Sequence, residues 1–196
     1  RPHVFWDSDI AKWLEAAAHT MATHPSPELE AQIDSVIDCF AALQQDDGYL
    51  NTYFTLVEPE KRWSNTRDLH ELYCAGHLIE AAVAYHESTG KRKLLDVMCR
   101  YVDYIADVFG SAEEQMQGYP GHQEIELALV KLHQVTHEER YLKLAQYFID
   151  ERGKQPHYYD AEAHKRGDKP ENFWAKTYAY NQSHLPDREQ TTAEGH

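Results

Sequence analysis

Little in the sequence supports a membrane or nucleic-acid role. No run approaches the roughly 18–20 apolar residues of a membrane span. Lys and Arg number 19 against 33 Asp and Glu, a formal net charge of −14. Binding nucleic acid or an anionic membrane surface needs clustered cations, so neutral, cationic or small-molecule ligands remain. Cysteine is scarce: Cys39, Cys74 and Cys99 are odd in number and lack CxxC spacing, which excludes a disulfide framework and a zinc knuckle. Each falls within an apolar helical pattern and reads as a buried free thiol in a reducing, cytoplasmic compartment. No charged-then-apolar leader or initiating Met is present, and both ends, Arg1-Pro2-His3 and Glu194-Gly195-His196, read as cut from something longer. Ser-His-Asp, phosphate-loop and dinucleotide fingerprints are missing as well.

What is present argues for one folded, helical unit. The 196 residues include 13 Tyr, 6 Phe and 4 Trp, which excludes disorder. A folded chain of this mass exposes about 9,500 Å², against about 33,000 Å² for the open chain. Apolar residues recur at helical spacing in successive stripes: Ile10 to Met21, Leu29 to Leu43, Leu72 to Val83, Leu94 to Ile105, Ile125 to Val135 and Tyr141 to Ile149. Tyr49 to Leu56 is the one short β-like run. Short links at Ser88–Lys91 and Val135–Glu138 predict antiparallel hairpins. Longer aromatic-rich segments separate those hairpins, from Asp46 to Asn65, Gly110 to Gly121 and Gly153 to Leu185. His86-Glu87-Ser88-Thr89 and His133-Gln134-Val135-Thr136 lie 47 residues apart, a weak repeat. The expected fold is all-α, a partial (α/α)6 toroid of helical hairpins or a helical solenoid. A closed ring of such hairpins needs about 280 residues, so this chain reads as about half a ring with apolar faces open and a fourth hairpin beginning at Pro186.

In a toroid the long loops share one rim, and a site is built there. That rim carries Asp46 to Tyr53 with its Asp47-Gly48 turn, then Asp68 to Tyr73, then Gly118 to Glu124, then Thr191 to His196. His70 and His122 both stand at helix starts, 52 residues apart. The positive end of a helix dipole disfavours imidazolium. A neutral imidazole both donates and accepts a hydrogen bond, which suits sugar hydroxyls. The competing reading is that each histidine caps or packs in its own loop. His133 and His137 stand at metal spacing but without the HExxH glutamate, and read as solvated or packed. Cys74 and His77 have no further ligand nearby in sequence. Glu71, Glu80, Glu124 and Glu126 could supply a glycosidase carboxylate pair. Each reads more simply as a solvated face, helix-start charge or hydrogen-bonded wall.

Five motifs, in order, carry a resemblance: Trp13-Leu14-Glu15-Ala16, Asp47 to Tyr53, His70 to Ala81 (HELYCAGHLIEA), Gly118 to Ala128 (GYPGHQEIELA) and Gln155 to Asp160 (QPHYYD). They resemble the β-L-arabinofuranosidases of glycoside hydrolase family 127. The resemblance spans essentially residues 1–196 and implies the early part of the catalytic (α/α)6 barrel, with the rest of the barrel and the β-sandwich domains absent. It implies a retaining glycosidase releasing terminal L-arabinofuranose from arabinosylated glycans. It further implies a cysteine nucleophile held by zinc, with cysteine and glutamate ligands, and a separate glutamate acid/base, all beyond His196. A zinc-bound thiolate is a plausible nucleophile because the metal keeps sulfur deprotonated. Cys39, Cys74 and Cys99 do not match those positions, so this segment is expected to hold no catalytic residue and no metal. His70, His122 and His196 match substrate-contacting histidines. A different (α/α)6 carbohydrate-active hydrolase and a non-catalytic sugar-binding or scaffold fragment stay open. The expected partner is a small L-arabinofuranoside, with no nucleic acid or membrane, and a homodimer is compatible.

Overall fold

A computed structural model describes residues 2–169 and 186–189. Among them run α1 (Trp6–Thr23), α2 (Pro27–Leu43), α3 (Thr52–Leu56), α4 (Glu71–Thr89), α5 (Lys93–Val108), α6 (Ile125–Thr136), α7 (Glu139–Glu151) and α8 (Tyr158–Lys165). The six long helices coincide with the six apolar stripes. Their boundaries follow local chemistry. Pro27 opens α2, and the Ser26 hydroxyl accepts from the Leu29 N–H at 3.2 Å. α4 closes on left-handed Gly90, whose N–H donates to the His86 carbonyl at 2.7 Å.

The long helices form two layers. α1 packs on α4 and α4 on α6, making an inner row; α2 lies against α1 and α5, α5 against α4, and α7 against α6. Burial explains the order. α4 is buried almost all round, from Leu72 through Ala75, Leu78, Ile79 and Ala82 to Tyr85. α5 and α7 bury one stripe each and keep a charged outer face. A helix apolar all round needs neighbours on every side, whereas an amphipathic one suits an outer layer. The result is an arc of an α/α toroid. Asp187–Glu189 forms a 3-10 turn; the rest of the expected fourth hairpin lies outside the described residues. No helix among the described residues is long and apolar enough to cross a membrane.

Two expectations fail. The β-like run is not a strand. Thr52–Leu56 is helix α3, because the Asn51 side chain caps it by accepting from the Phe54 N–H at 3.0 Å. The buried Asp7 carboxylate accepts from the Thr52 N–H at 2.7 Å. With no partner strand among the described residues, β-branched and aromatic composition does not hold an extended run. Nor are all the cysteines buried. Cys74 is, with its thiol donating to the Val4 carbonyl at 3.6 Å, but Cys39 is exposed and Cys99 half-buried. α2 buries only Ile33, Ile37 and Phe40, and Cys39 falls off that stripe. Ile10 and Trp13 are likewise on the open side of α1.

Candidate functional site

His70 is the N-cap of α4 and adopts a left-handed backbone, φ 62° and ψ 17°. A non-glycine residue there is strained and needs its surroundings to hold it. The next residue does so. The buried Glu71 carboxyl accepts from the Tyr49 hydroxyl and from the Trp63 N–H at 2.7 Å. Tyr49 in turn lies under the Arg62 guanidinium, 3.6 Å from its ring centre, and Arg62 donates to Asp47 at 2.8 Å. The Asp46–Tyr53 motif is therefore the seat behind His70. Burial raises the Glu71 carboxyl to about 8, against the lowering effect of its two donors.

His122 arrives from the α5–α6 loop. Gly121, just before it, donates its N–H to the Thr66 carbonyl at 3.2 Å, and a Cβ there would sit 2.0 Å from the Arg67 carbonyl oxygen. Only glycine lets the two loops pass this closely. The preceding Pro120 carbonyl accepts from the Arg152 guanidinium and the Tyr159 hydroxyl, each at 2.6 Å. Arg152 is fully buried and also meets Asp187 at 3.1 Å.

These two loops bring the histidines together. The His70 and His122 rings are 5.1 Å apart, and Tyr73 packs on both, at 5.6 Å and 5.0 Å. Phe5 lies 5.8 Å from His70 on the open side, with His3 beside it at 4.3 Å. Tyr73 also packs edge-on against His77 at 4.6 Å, and its hydroxyl accepts from Lys12 at 2.8 Å. Burial lowers the His70 imidazole below its ordinary value, so at neutral pH it is uncharged and can both donate and accept. The arrangement is a rim of imidazole and aromatic faces, suited to a neutral polyhydroxyl ligand. His196 lies outside the described residues.

The four glutamates are not a solvated face. Glu71, Glu80 and Glu126 are buried and Glu124 is nearly so. The mixed lengths and positions hid this, since helix-start glutamates are ordinarily exposed. Burial raises the Glu126 carboxyl to about 7, with Arg152 4.0 Å away. Glu80 and Glu124 meet directly. Their carboxyl oxygens lie within 4.8 Å of each other, facing one another and not flanking a sugar as a retaining glycosidase pair does at ~5 Å. With His77 they offer three ligand atoms within 4.8 Å of one another. Glu80, however, already receives the Lys131 ammonium, which balances the charge that a cation would need. The cysteines stand on three different helices, and among the described residues no cysteine joins a group of metal-ligating side chains. A zinc–thiolate centre does not fit them. His137 leaves the helix as the left-handed C-cap of α6, which ends any His133–His137 pair.

The fold brings together His70 and His122, the described members of the expected histidine set, and adds neighbours not expected there: Tyr73 between them, the Phe5 flank, and His77 with its two glutamates. The i, i+4, i+7 spacing of Tyr73, His77 and Glu80 was available as a signal. The position of Glu124 depends on a helix–helix contact that spacing does not contain.

Comparison with known proteins shows the family of the chain. A family model described as the β-L-arabinofuranosidase GH127 catalytic domain matches residues 2–196. The non-reducing end β-L-arabinofuranosidase of Bifidobacterium longum subsp. longum is 44% identical over 201 residues, covering 98% of this chain and 30% of that protein. The crystal structure of Ara127N-Se, a GH127 β-L-arabinofuranosidase from Geobacillus stearothermophilus T6, shares 59% identity with a TM-score of 0.92, over 97% of this chain and 30% of that one. The GH127 β-arabinofuranosidase BT3674 shares 34% identity with a TM-score of 0.79, over 97% of this chain and 28% of that one. The chain thus spans under a third of the length of these relatives.

Proposed function

Because the chain belongs to the GH127 β-L-arabinofuranosidase catalytic-domain family, we propose that the protein releases terminal β-L-arabinofuranosyl units from arabinosylated glycans. In that reading this chain builds one wall of the sugar pocket. The observation that carries it is the convergence of His70 and His122, from two loops 52 residues apart, into one aromatic-lined rim. The uncharged His70 imidazole accepts a hydrogen bond from a sugar hydroxyl on one ring nitrogen, which helps to orient the furanose. His122 presents its ring beside His70 from the α5–α6 loop, and Tyr73 packs against both rings. Phe5 offers an apolar face to the carbon side of the ring. His196 would complete the set from the following segment.

Bond cleavage is assigned to residues beyond this chain. The zinc that the resemblance implies would supply a metal-stabilised thiolate, but the cysteines here do not fit such a centre, so its ligands belong elsewhere in the protein. The exposed free thiol of Cys39 suits a reducing compartment, and a cytoplasmic location follows in this reading.

The whole protein should hydrolyse p-nitrophenyl β-L-arabinofuranoside. A folded, metal-replete preparation that leaves this substrate intact would overturn the reading. His122→Ala should raise KM and lower kcat/KM with zinc content unchanged; loss of zinc would remove His122 from the sugar pocket.

A further inference from the structure

Beneath the histidine rim lies a polar network that the proposed function does not use. α4 presents Tyr73, His77 and Glu80 at i, i+4 and i+7, one stripe below His70. α6 presents Glu124 at its N-cap and Lys131 two turns on. Gly76 brings these stripes together: a Cβ there would sit 2.7 Å from the Glu124 Cγ and 2.9 Å from the Ile125 nitrogen. The start of α6 therefore touches the backbone of α4 and carries Glu124 into Glu80.

We propose that Glu80 and Glu124 share one proton, carried by Glu124, and that this neutral carboxyl is a positioning residue that seats His122 against His70. The inference rests on the reading that these two histidines hold the sugar. Three observations lead to it. Two carboxyls with oxygens within 4.8 Å of each other in a largely buried setting repel when both are ionised, and one proton between them relieves that. Lys131 donates to Glu80, so Glu80 is the ionised partner. His77 does not supply a positive charge: its Nδ1 lies 3.1 Å from Glu124 and 3.7 Å from Glu80, yet burial and then Lys12 lower it to about 4. Burial and then Glu80 raise Glu124 to about 8. The charged and titratable groups around the pair are His77 from α4, Lys131 from α6, and Asp9, Lys12 and Glu15 from α1, with His19 of α1 and Glu87 of α4 in the hollow beside Glu80 and Lys131.

The link to the rim is short. The Glu124 N–H donates to the His122 carbonyl at 3.0 Å, so the two residues form one tight turn. Removing the proton sets two negative carboxylates in contact. Their repulsion separates the start of α6 from α4 and draws His122 away from Tyr73 and His70.

The test compares wild type, Glu124→Gln and Glu124→Ala in the whole protein. Glutamine keeps a neutral donor to Glu80; alanine does not. The first arm needs no substrate. A carboxyl raised from 4.5 to about 8 on folding stabilises the native state fully below pH 4.5 and loses that contribution as pH rises to about 8. His77, lowered from 6.5 to about 4, acts in the opposite sense but only below 6.5. Between pH 6.5 and 8, thermal stability of the wild type should therefore fall more steeply than that of Glu124→Gln, by the uptake of one proton. Equal slopes would overturn the shared proton.

The second arm reads kcat and KM on p-nitrophenyl β-L-arabinofuranoside. Above pH ~8, wild-type KM should climb about tenfold per pH unit while kcat holds. Glu124→Gln should keep kcat/KM within about threefold of wild type at pH 6 and lack the alkaline rise, while Glu124→Ala should show a high KM throughout. A glutamine variant as impaired as alanine, or one with the wild-type alkaline limb, would overturn the positioning role. A wild-type protein with no turnover of this substrate would remove the sugar reading and the positioning role with it. The first arm would still decide the proton.

Discussion

Glu71 shows how one side chain sets the geometry of another. It does not reach the site, but its carboxyl holds Tyr49 and the Trp63 N–H, and so fixes the backbone from which His70 departs. Glu71→Ala would leave two buried donors unpaired, and should destabilise the protein by about 2–5 kcal/mol in denaturant unfolding. Glu71→Gln retains an acceptor for one of them and should cost less. Because burial raises this carboxyl to about 8, its contribution is fully present below pH 4.5 and is lost as pH rises toward 8. His70→Ala is a different experiment. It removes a half-buried ring that packs on Tyr73, His122 and Phe5, and should cost about 1–2 kcal/mol in unfolding while lowering kcat/KM by about tenfold to a hundredfold.

At the scale of elements, the site is a meeting of two loops, and Gly121 is where they cross. Gly121→Ala places a methyl 2.0 Å from the Arg67 carbonyl oxygen and must push the loops apart. Steady-state kinetics should show a raised KM and calorimetry a loss of about 1–3 kcal/mol. The helices themselves were legible in the sequence because apolar periodicity reports burial directly: the stripes from Ile125 and Tyr141 became α6 and α7 with little adjustment. His70 and His122 stood out because each ends a long loop just before an apolar helical stripe. Residues joined only through tertiary contact were not. Tyr73 read as one more aromatic on an inner helix, and Glu124 read as a helix-start charge. Its burial follows from the absence of a side chain at Gly76, one helix away. The run at Tyr49–Leu56 misled because composition favours a strand while the capping side chain of Asn51, a local hydrogen bond, favours a helix.

Across the molecule, α1 carries the edge of the inner row. Trp6, Ile10 and Trp13 lie at i, i+4 and i+7 and are 51%, 43% and 40% exposed. Relatives of this chain are over three times its length, and further helices of a closed ring would cover that stripe. Tryptophan fluorescence should then be strongly quenched by acrylamide in residues 1–196 alone and protected in the whole protein. Equal quenching in both would place this stripe on an outer surface.

Arg152 ties together Pro120, Tyr159 and Asp187, which belong to segments far apart along the chain. The helical hairpins need only neighbours in sequence, whereas this guanidinium waits for loop closure on both sides of α7. The order of assembly follows: hairpins first, rim last. Native-state hydrogen exchange should therefore find the amides around Gly121 and Tyr159 opening as one cooperative unit, at lower free energy than those of α4 and α5. A chain stalled at that stage would hold its helices and have no place for a ligand.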